Sequence, residues 1–145
     1  MASVSTYLNF ERNTEEAFEF YKLVFKTEYK GEVMRMGAVP AQEGQPPMAE
    51  ADKNLVMHVA LPILGGHMLL GTDVPESMGF TVKMGNNVYI NLGPDSKAEA
   101  DRLFLALSAG GKVEMPMQDM FWGDYFGSFT DKFGVGWMIN YHEEK

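Results

Sequence analysis

The sequence contains no cysteine. That excludes disulfides, thiolate nucleophiles and cysteine-ligated metal centres together. Bases are scarce: 12 Lys and Arg stand against 20 Asp and Glu, a formal net charge of −8. Nucleic acids and anionic membranes both need clustered cations, so neither is an expected partner. No apolar run approaches the roughly 20 residues that span a bilayer. The stretch Met1-Ala2-Ser3-Val4-Ser5-Thr6 has neither the basic nor the apolar region of a signal peptide, so a cytoplasmic location is expected. There is no Gly-x-Ser-x-Gly elbow, no phosphate loop and no glycine-rich strand-to-helix turn of the kind that cradles S-adenosylmethionine.

What is present suits one domain or two small repeated modules: 145 residues, of which 46% are hydrophobic and 22% charged. Twelve methionines point to adaptable packing, mostly as core filler. The first half reads as a strand over 4–10, then a helix opened by Asn13-Thr14-Glu15-Glu16, with Ala17, Phe20, Tyr21 and Val24 forming one apolar face. A strand is predicted over 28–36. Residues 37–52 form a long proline-rich loop, and strands over 55–63 and 67–72 flank Gly65-Gly66 as a hairpin.

After a connector over 73–86 the pattern restarts. A strand covers 88–92, Ser96-Lys97-Ala98-Glu99 is a capping box, and Ala100, Leu103, Phe104 and Leu107 repeat the apolar face. Gly110-Gly111 ends that helix, and a short strand covers 112–117. The two helix starts lie at a constant offset of 83 positions, Asn13 to Ser96 and Glu16 to Glu99. The last segment, 121–140, holds both tryptophans and four phenylalanines and reads as two aromatic strands around the turn Asp131-Lys132-Phe133-Gly134.

The expected architecture is therefore α+β: two tandem βαβββ modules, 1–75 and 76–145, forming a curved mixed eight-stranded sheet with the helices outside. A concave face formed where modules meet is a natural ligand cavity.

Several motifs together carry a family resemblance. They are Tyr7-Leu8-Asn9-Phe10 leading to Glu15-Glu16-Ala17-Phe18-Glu19-Phe20-Tyr21-Lys22, then Val56-Met57-His58-Val59, Phe121-Trp122-Gly123-Asp124, Thr130-Asp131-Lys132-Phe133-Gly134 and Trp137-Met138-Ile139-Asn140. With the doubled module, the chain resembles the PhnB-like branch of the vicinal oxygen chelate superfamily, which includes glyoxalase I, extradiol dioxygenases and bleomycin-resistance proteins. The resemblance implies a homodimer and a cavity that binds a small molecule. In glyoxalase-type relatives, one divalent metal sits on the first and last strands of each module. The positions that match here are Thr6, Leu70, Tyr89 and Met138, which are not a usual ligand set. No metal and no other cofactor is therefore expected.

Three readings of function remain. The first is metal-free binding of a small, partly apolar or aromatic molecule between the modules. Tyr7, Tyr89, Trp122, Asp124, Trp137 and Met138 are the candidate lining residues, with Tyr89 foremost. The second is a metal-independent enzyme that transfers a proton as an isomerase or lyase does, with His58, Asp124 or a tyrosine as the candidate catalytic group. The third is an interaction protein that uses loop 37–52. His58 is read as a partly buried strand residue, His67 as a solvated turn residue, and His142 as part of a frayed end. Asp131 is read as the turn opener. Asp124 either faces inward, needing a partner such as Arg12, Arg35, Lys83 or a ligand, or faces outward and is ordinary.

Overall fold

The structure is a computed structural model that describes residues 2–40, 44 and 46–143. The chain divides into two compact units, with the boundary between Val82 and Lys83 and not after Pro75. The eight expected strands are present and are hydrogen-bonded as two four-stranded mixed sheets, one in each unit.

In the first unit, β1 (Thr6–Phe10) leads to α1 (Thr14–Phe25), followed by β2 (Met34–Arg35), the short α2 (Glu50–Lys53), β3 (Val56–Pro62) and β4 (Met68–Asp73). The strand order is β1-β4-β3-β2, with β1 parallel to β4 and the other pairs antiparallel. Helix α1 buries Thr14, Ala17, Phe18, Tyr21 and Val24. Phe18 thus takes the central place expected for Phe20, and Gly71 on β4 makes the room: a Cβ there would stand 2.4 Å from Phe18 Cε1. The stripe turns toward the bare patch of sheet, because Phe18 gains full burial there.

The helix start also differs from expectation. The Asn13 side chain makes no cap hydrogen bond. Asp73, at the end of β4, takes its place: Oδ1 accepts from Thr14 N at 3.0 Å and Oδ2 from Val56 N at 2.8 Å. One buried carboxylate therefore joins the helix, β3 and β4. The predicted strand over 28–36 shrinks to Met34–Arg35. Gly31 at φ 79° breaks the extended run before it, leaving one backbone bond from Lys30 N to Ala60 O at 2.9 Å.

The second unit comprises β5 (Ile90–Leu92), α3 (Lys97–Ser108), β6 (Lys112–Asp119), β7 (Tyr125–Thr130) and β8 (Gly136–Tyr141), in the order β5-β8-β7-β6. Strand β5 begins at Ile90, leaving Val88 72% exposed, and β6 runs on to Asp119. The Ser96 side chain caps α3 by accepting from Glu99 N at 3.1 Å. Ala100, Leu103, Phe104 and Leu107 are all buried, as the periodicity predicts. Phe104 meets Phe129 edge-on at 5.0 Å. Gly127 repeats the role of Gly71, since a Cβ there would lie 2.8 Å from Phe104 Cε2 and 2.7 Å from Met117 Sδ.

The aromatic hairpin closes through Asp131, whose buried carboxylate accepts from Phe133 N, Val135 N and Trp137 Nε1 at 2.8–3.0 Å. Among the described residues, no helix is long and apolar enough to cross a membrane.

Candidate functional site

Each sheet has one face against its helix and one open face, and strand alternation assigns every side chain to one of them. On β1, Phe10 is fully buried and Leu8 pairs with Gly71 beneath Phe18, so Thr6, Leu8 and Phe10 share the helix face. Tyr7 is 51% exposed and pairs with Leu70 on the open face. His58 shares that face, with its ring centroid 6.5 Å from that of Tyr7. Thr6 and Leu70 therefore point to opposite sides of one sheet, and the Thr6 hydroxyl is engaged with His67 Nε2 at 2.9 Å. His67, read from the sequence as a solvated turn residue, is half-buried in this pairing.

In the second unit, Phe129, Gly127, Trp137 and Ile139 face α3. The intervening residues form the open face: Phe126 and Thr130 on β7, with the buried Ser128 between them, and Met138 and Asn140 on β8. Tyr89 joins them, its ring lying over Gly136 with carbons 3.0 Å from where a Cβ would sit. The Tyr89 hydroxyl donates to Glu114 Oε1 at 2.7 Å, and the Thr130 hydroxyl donates to Oε2 at 2.9 Å. The bond to Glu114 raises the Tyr89 phenol above its ordinary range, so it stays a donor.

The other end of the same face is built around Asp124. The register Tyr125↔Tyr141 and Phe126↔Asn140, continued one step, sets Asp124 opposite His142. Asp124 Oδ2 accepts from Asn140 Nδ2 at 3.0 Å, and Oδ1 meets His142 Nδ1 at 2.5 Å. His142, Asn140 and Trp122 together hold the Asp124 carboxyl below its ordinary range, with His142 the largest cause. Two of the partners suggested by the sequence are otherwise occupied: Arg12 binds Asp52 and Glu76, and Arg35 binds Glu15. His142 is thus tied to the sheet and is no frayed end. Its partner could have been found by extending the hairpin ladder one pair past the strand ends.

The two candidate catalytic groups do not share a unit: His58 belongs to the first and Asp124 to the second. The lining candidates also separate. Tyr7, Tyr89, Asp124 and Met138 stand on open faces. Trp137 is fully buried against α3 with its indole N–H on Asp131, so it is core and not cavity wall. Trp122 is 51% exposed in the β6–β7 turn, stacked edge-on with the 97% exposed Phe121 at 5.0 Å. It is neither core nor sheet surface.

The ligand positions do not fit a divalent metal. Leu70 and Met138 offer no usual donor, Tyr89 is engaged with Glu114, and Thr6 lies on the helix side. Among the described residues, no three His, Asp or Glu side chains cluster as a metal would require.

Loop 37–52 contains positions 41–43 and 45, which lie outside the described residues. The rest of the loop adds something that the sequence reading missed. Pro46, Pro47 and Met48 run beside Met36, and two adjoining cavities of about 390 and 440 Å³ open there. Asp52, held by Arg12 and by Ser77 Oγ at 2.8 Å, lies at one of them.

Residues 2–140 match the profile of a family described as 3-demethylubiquinone-9 3-methyltransferase. Among curated proteins, YjdN of Escherichia coli (strain K12) is 31% identical over 147 aligned positions, covering 94% of this chain and 93% of that protein. Protein PA1353 of Pseudomonas aeruginosa superposes with a TM-score of 0.82 at 34% identity, over 99% of this chain and 100% of that one. A PhnB protein from Bacillus cereus gives 0.72 at 25% identity, over 97% and 99%. A glyoxalase/bleomycin resistance/dioxygenase family enzyme from Burkholderia phytofirmans, at 18% identity and a TM-score of 0.62 over 95% and 98%, shares the fold.

Proposed function

Since this chain belongs to the PhnB-like family described as 3-demethylubiquinone-9 3-methyltransferase, on the glyoxalase/bleomycin resistance/dioxygenase fold, we propose that it binds a small, partly aromatic molecule on its open sheet face without a protein-held metal. The observation that carries this reading is the open face of the second sheet. It combines apolar surface from Phe126 and Met138 with a short row of hydrogen-bonding groups, Tyr89, Glu114, Thr130, Asn140 and Asp124. A mostly apolar wall with a few fixed polar groups is the usual make-up of a small-molecule site.

The methyl transfer named by the family description is not part of this proposal. The β1–α1 turn, Glu11-Arg12-Asn13, has no glycine, and the β5–α3 turn, Gly93-Pro94-Asp95-Ser96, has one. Neither is the glycine-rich cradle that a nucleoside cofactor needs. A symmetric homodimer belongs to the same reading, and exposed Phe121 and Trp122 support it as apolar surface suited to a second copy. Light scattering should then return about twice the 16.2 kDa of one chain.

The test is a thermal-shift screen of untagged protein against small aromatic metabolites and, separately, Zn²⁺ and Ni²⁺. A ligand present at one hundred times its Kd adds about 2.7 kcal/mol to stability. Stabilisation by an aromatic compound that Tyr89→Ala abolishes is the expected result. Saturable stabilisation by either metal, lost on Tyr89→Phe, would overturn the metal-free reading.

A further inference from the structure

We propose that His142, positioned by Asp124, accepts the proton of a neutral, weakly acidic aromatic hydroxyl, a phenol or an enol, bound on the open face of the second sheet. The proposal rests on the small-molecule reading above and adds the ligand's chemical class and the group that meets it. Asp124 engages Nδ1 of His142 while Asn140 Nδ2 fixes the other carboxylate oxygen, so the carboxylate cannot turn away. A carboxylate on Nδ1 selects the tautomer that carries its proton there and leaves the lone pair of Nε2 facing outward. The His142 side chain is 68% exposed and that of Asp124 only 17%, so the acceptor is accessible and its support is not.

The geometry is that of a base and its orienting group; the sequence reading names Asp124 as one candidate but sets His142 at a frayed end.

The class of ligand follows from charge. The chain carries a net −8, and Asp124 and Glu114 both stand on this face. Other charges near His142 are Glu143 beside it and the Lys97–Asp119 pair from α3 and β6, whose lysine feels Glu143. An anion would therefore approach against repulsion. A neutral acid meets no such barrier and becomes anionic only at Nε2. In the step itself, the ligand's O–H bond breaks, an N–H bond forms at Nε2, and the electron pair stays on the ligand oxygen. The imidazolium is balanced by Asp124, and no other reactant is required. Phe126, two residues from Asp124 on the same face, supplies an aromatic surface for the ring.

The probe is 4-nitrophenol, whose anion absorbs in the visible, at about pH 7, above the ordinary imidazole value of about 6.5 so that a neutral ring is there to accept the proton, with the band of the free probe subtracted. 4-Nitroanisole, which has no proton to give, serves as its partner. Equilibrium dialysis measures binding of both and absorbance measures ionisation. Expected is saturable binding of both compounds, with a nitrophenolate band that His142→Ala removes while 4-nitroanisole binding changes less than about twofold. Asp124→Asn should lower the bound ionised fraction roughly tenfold, because the carboxylate that balances the imidazolium is gone, with the thermal midpoint recorded to confirm folding. Binding of 4-nitrophenol in neutral form only, or a band that persists in His142→Ala, overturns the proposal and leaves small-molecule binding standing. Failure of both compounds to bind also overturns it, and the parent reading falls as well only if the thermal-shift screen is empty.

Discussion

Replacing Asp73 with alanine tests the central structural finding of the first unit, that a carboxylate at the end of β4 caps α1. Two backbone N–H groups, Thr14 N and Val56 N, depend on it, and the side chain is 3% exposed. Water cannot readily replace it there. A buried donor left unsatisfied costs about 1–3 kcal/mol, so losing both acceptors should cost about 2–6 kcal/mol. Asp73→Asn keeps one oxygen and turns an N–H₂ toward the other donor, so it should fall near the lower end.

Asn13→Ala is the decisive control. If Asn13 capped the helix, its loss would cost about 1 kcal/mol. Because its side chain makes no cap bond, the change should stay within about 0.5 kcal/mol. Urea denaturation followed by circular dichroism reads both variants. With a slope of about 2 kcal/mol per molar, Asp73→Ala should move the midpoint down by on the order of 1–3 M at unchanged slope. A loss below 1 kcal/mol for Asp73→Ala, or one above 1 kcal/mol for Asn13→Ala, would refute the reasoning.

Three further outcomes follow from the same contacts. Gly71→Ala should destabilise by about 1–3 kcal/mol, because its Cβ would lie 2.4 Å from Phe18 Cε1; Phe18→Leu in the same chain should return part of that loss. Asp131→Ala removes three hydrogen bonds, one of them to the Trp137 indole; a loss of about 3 kcal/mol or more and an altered near-ultraviolet dichroism signal are expected. The Asp124 carboxyl is depressed in the folded state, so its contribution is complete above the ordinary value of 3.8 and disappears as pH falls through the lower folded value. Thermal midpoints recorded downward from about pH 5 should therefore decline less steeply in Asp124→Asn than in the parent chain, and parallel curves would contradict the pairing with His142.

Much of the fold was legible because its signals are local. The α3 face, the Ser96 cap and the Asp131 turn depend on residues within a few positions of each other, and all three stand as read. The failures share a cause. Phe18 displaced Phe20 because Gly71, far along the chain, leaves a hole in the sheet that only packing reveals. Asp73 displaced Asn13 because a side chain from another strand reached the helix start first. The strand predicted over 28–36 shrank to Met34–Arg35 because Gly31 takes a positive φ, and before it one backbone bond, Lys30 N to Ala60 O, ties the segment to β3.

The site shows the same division. The sequence names Tyr7, Tyr89 and Met138 as lining candidates and leaves Asp124 open between two facings; the strand register puts all four on faces away from the helices. Strand alternation could not separate Trp137 from these, because an aromatic strand looks alike on both faces until the helix is docked on one.

By itself, then, the sequence determined the doubled βαβββ pattern, the helical faces and the tight turns. Each of these is a matter of residue type and short-range spacing. Only the tertiary structure decided which face of each sheet meets a helix, which carboxylate caps α1 and which histidine Asp124 holds. Those outcomes depend on strand register and on side chains brought together from distant parts of the chain, and periodicity carries no information about either.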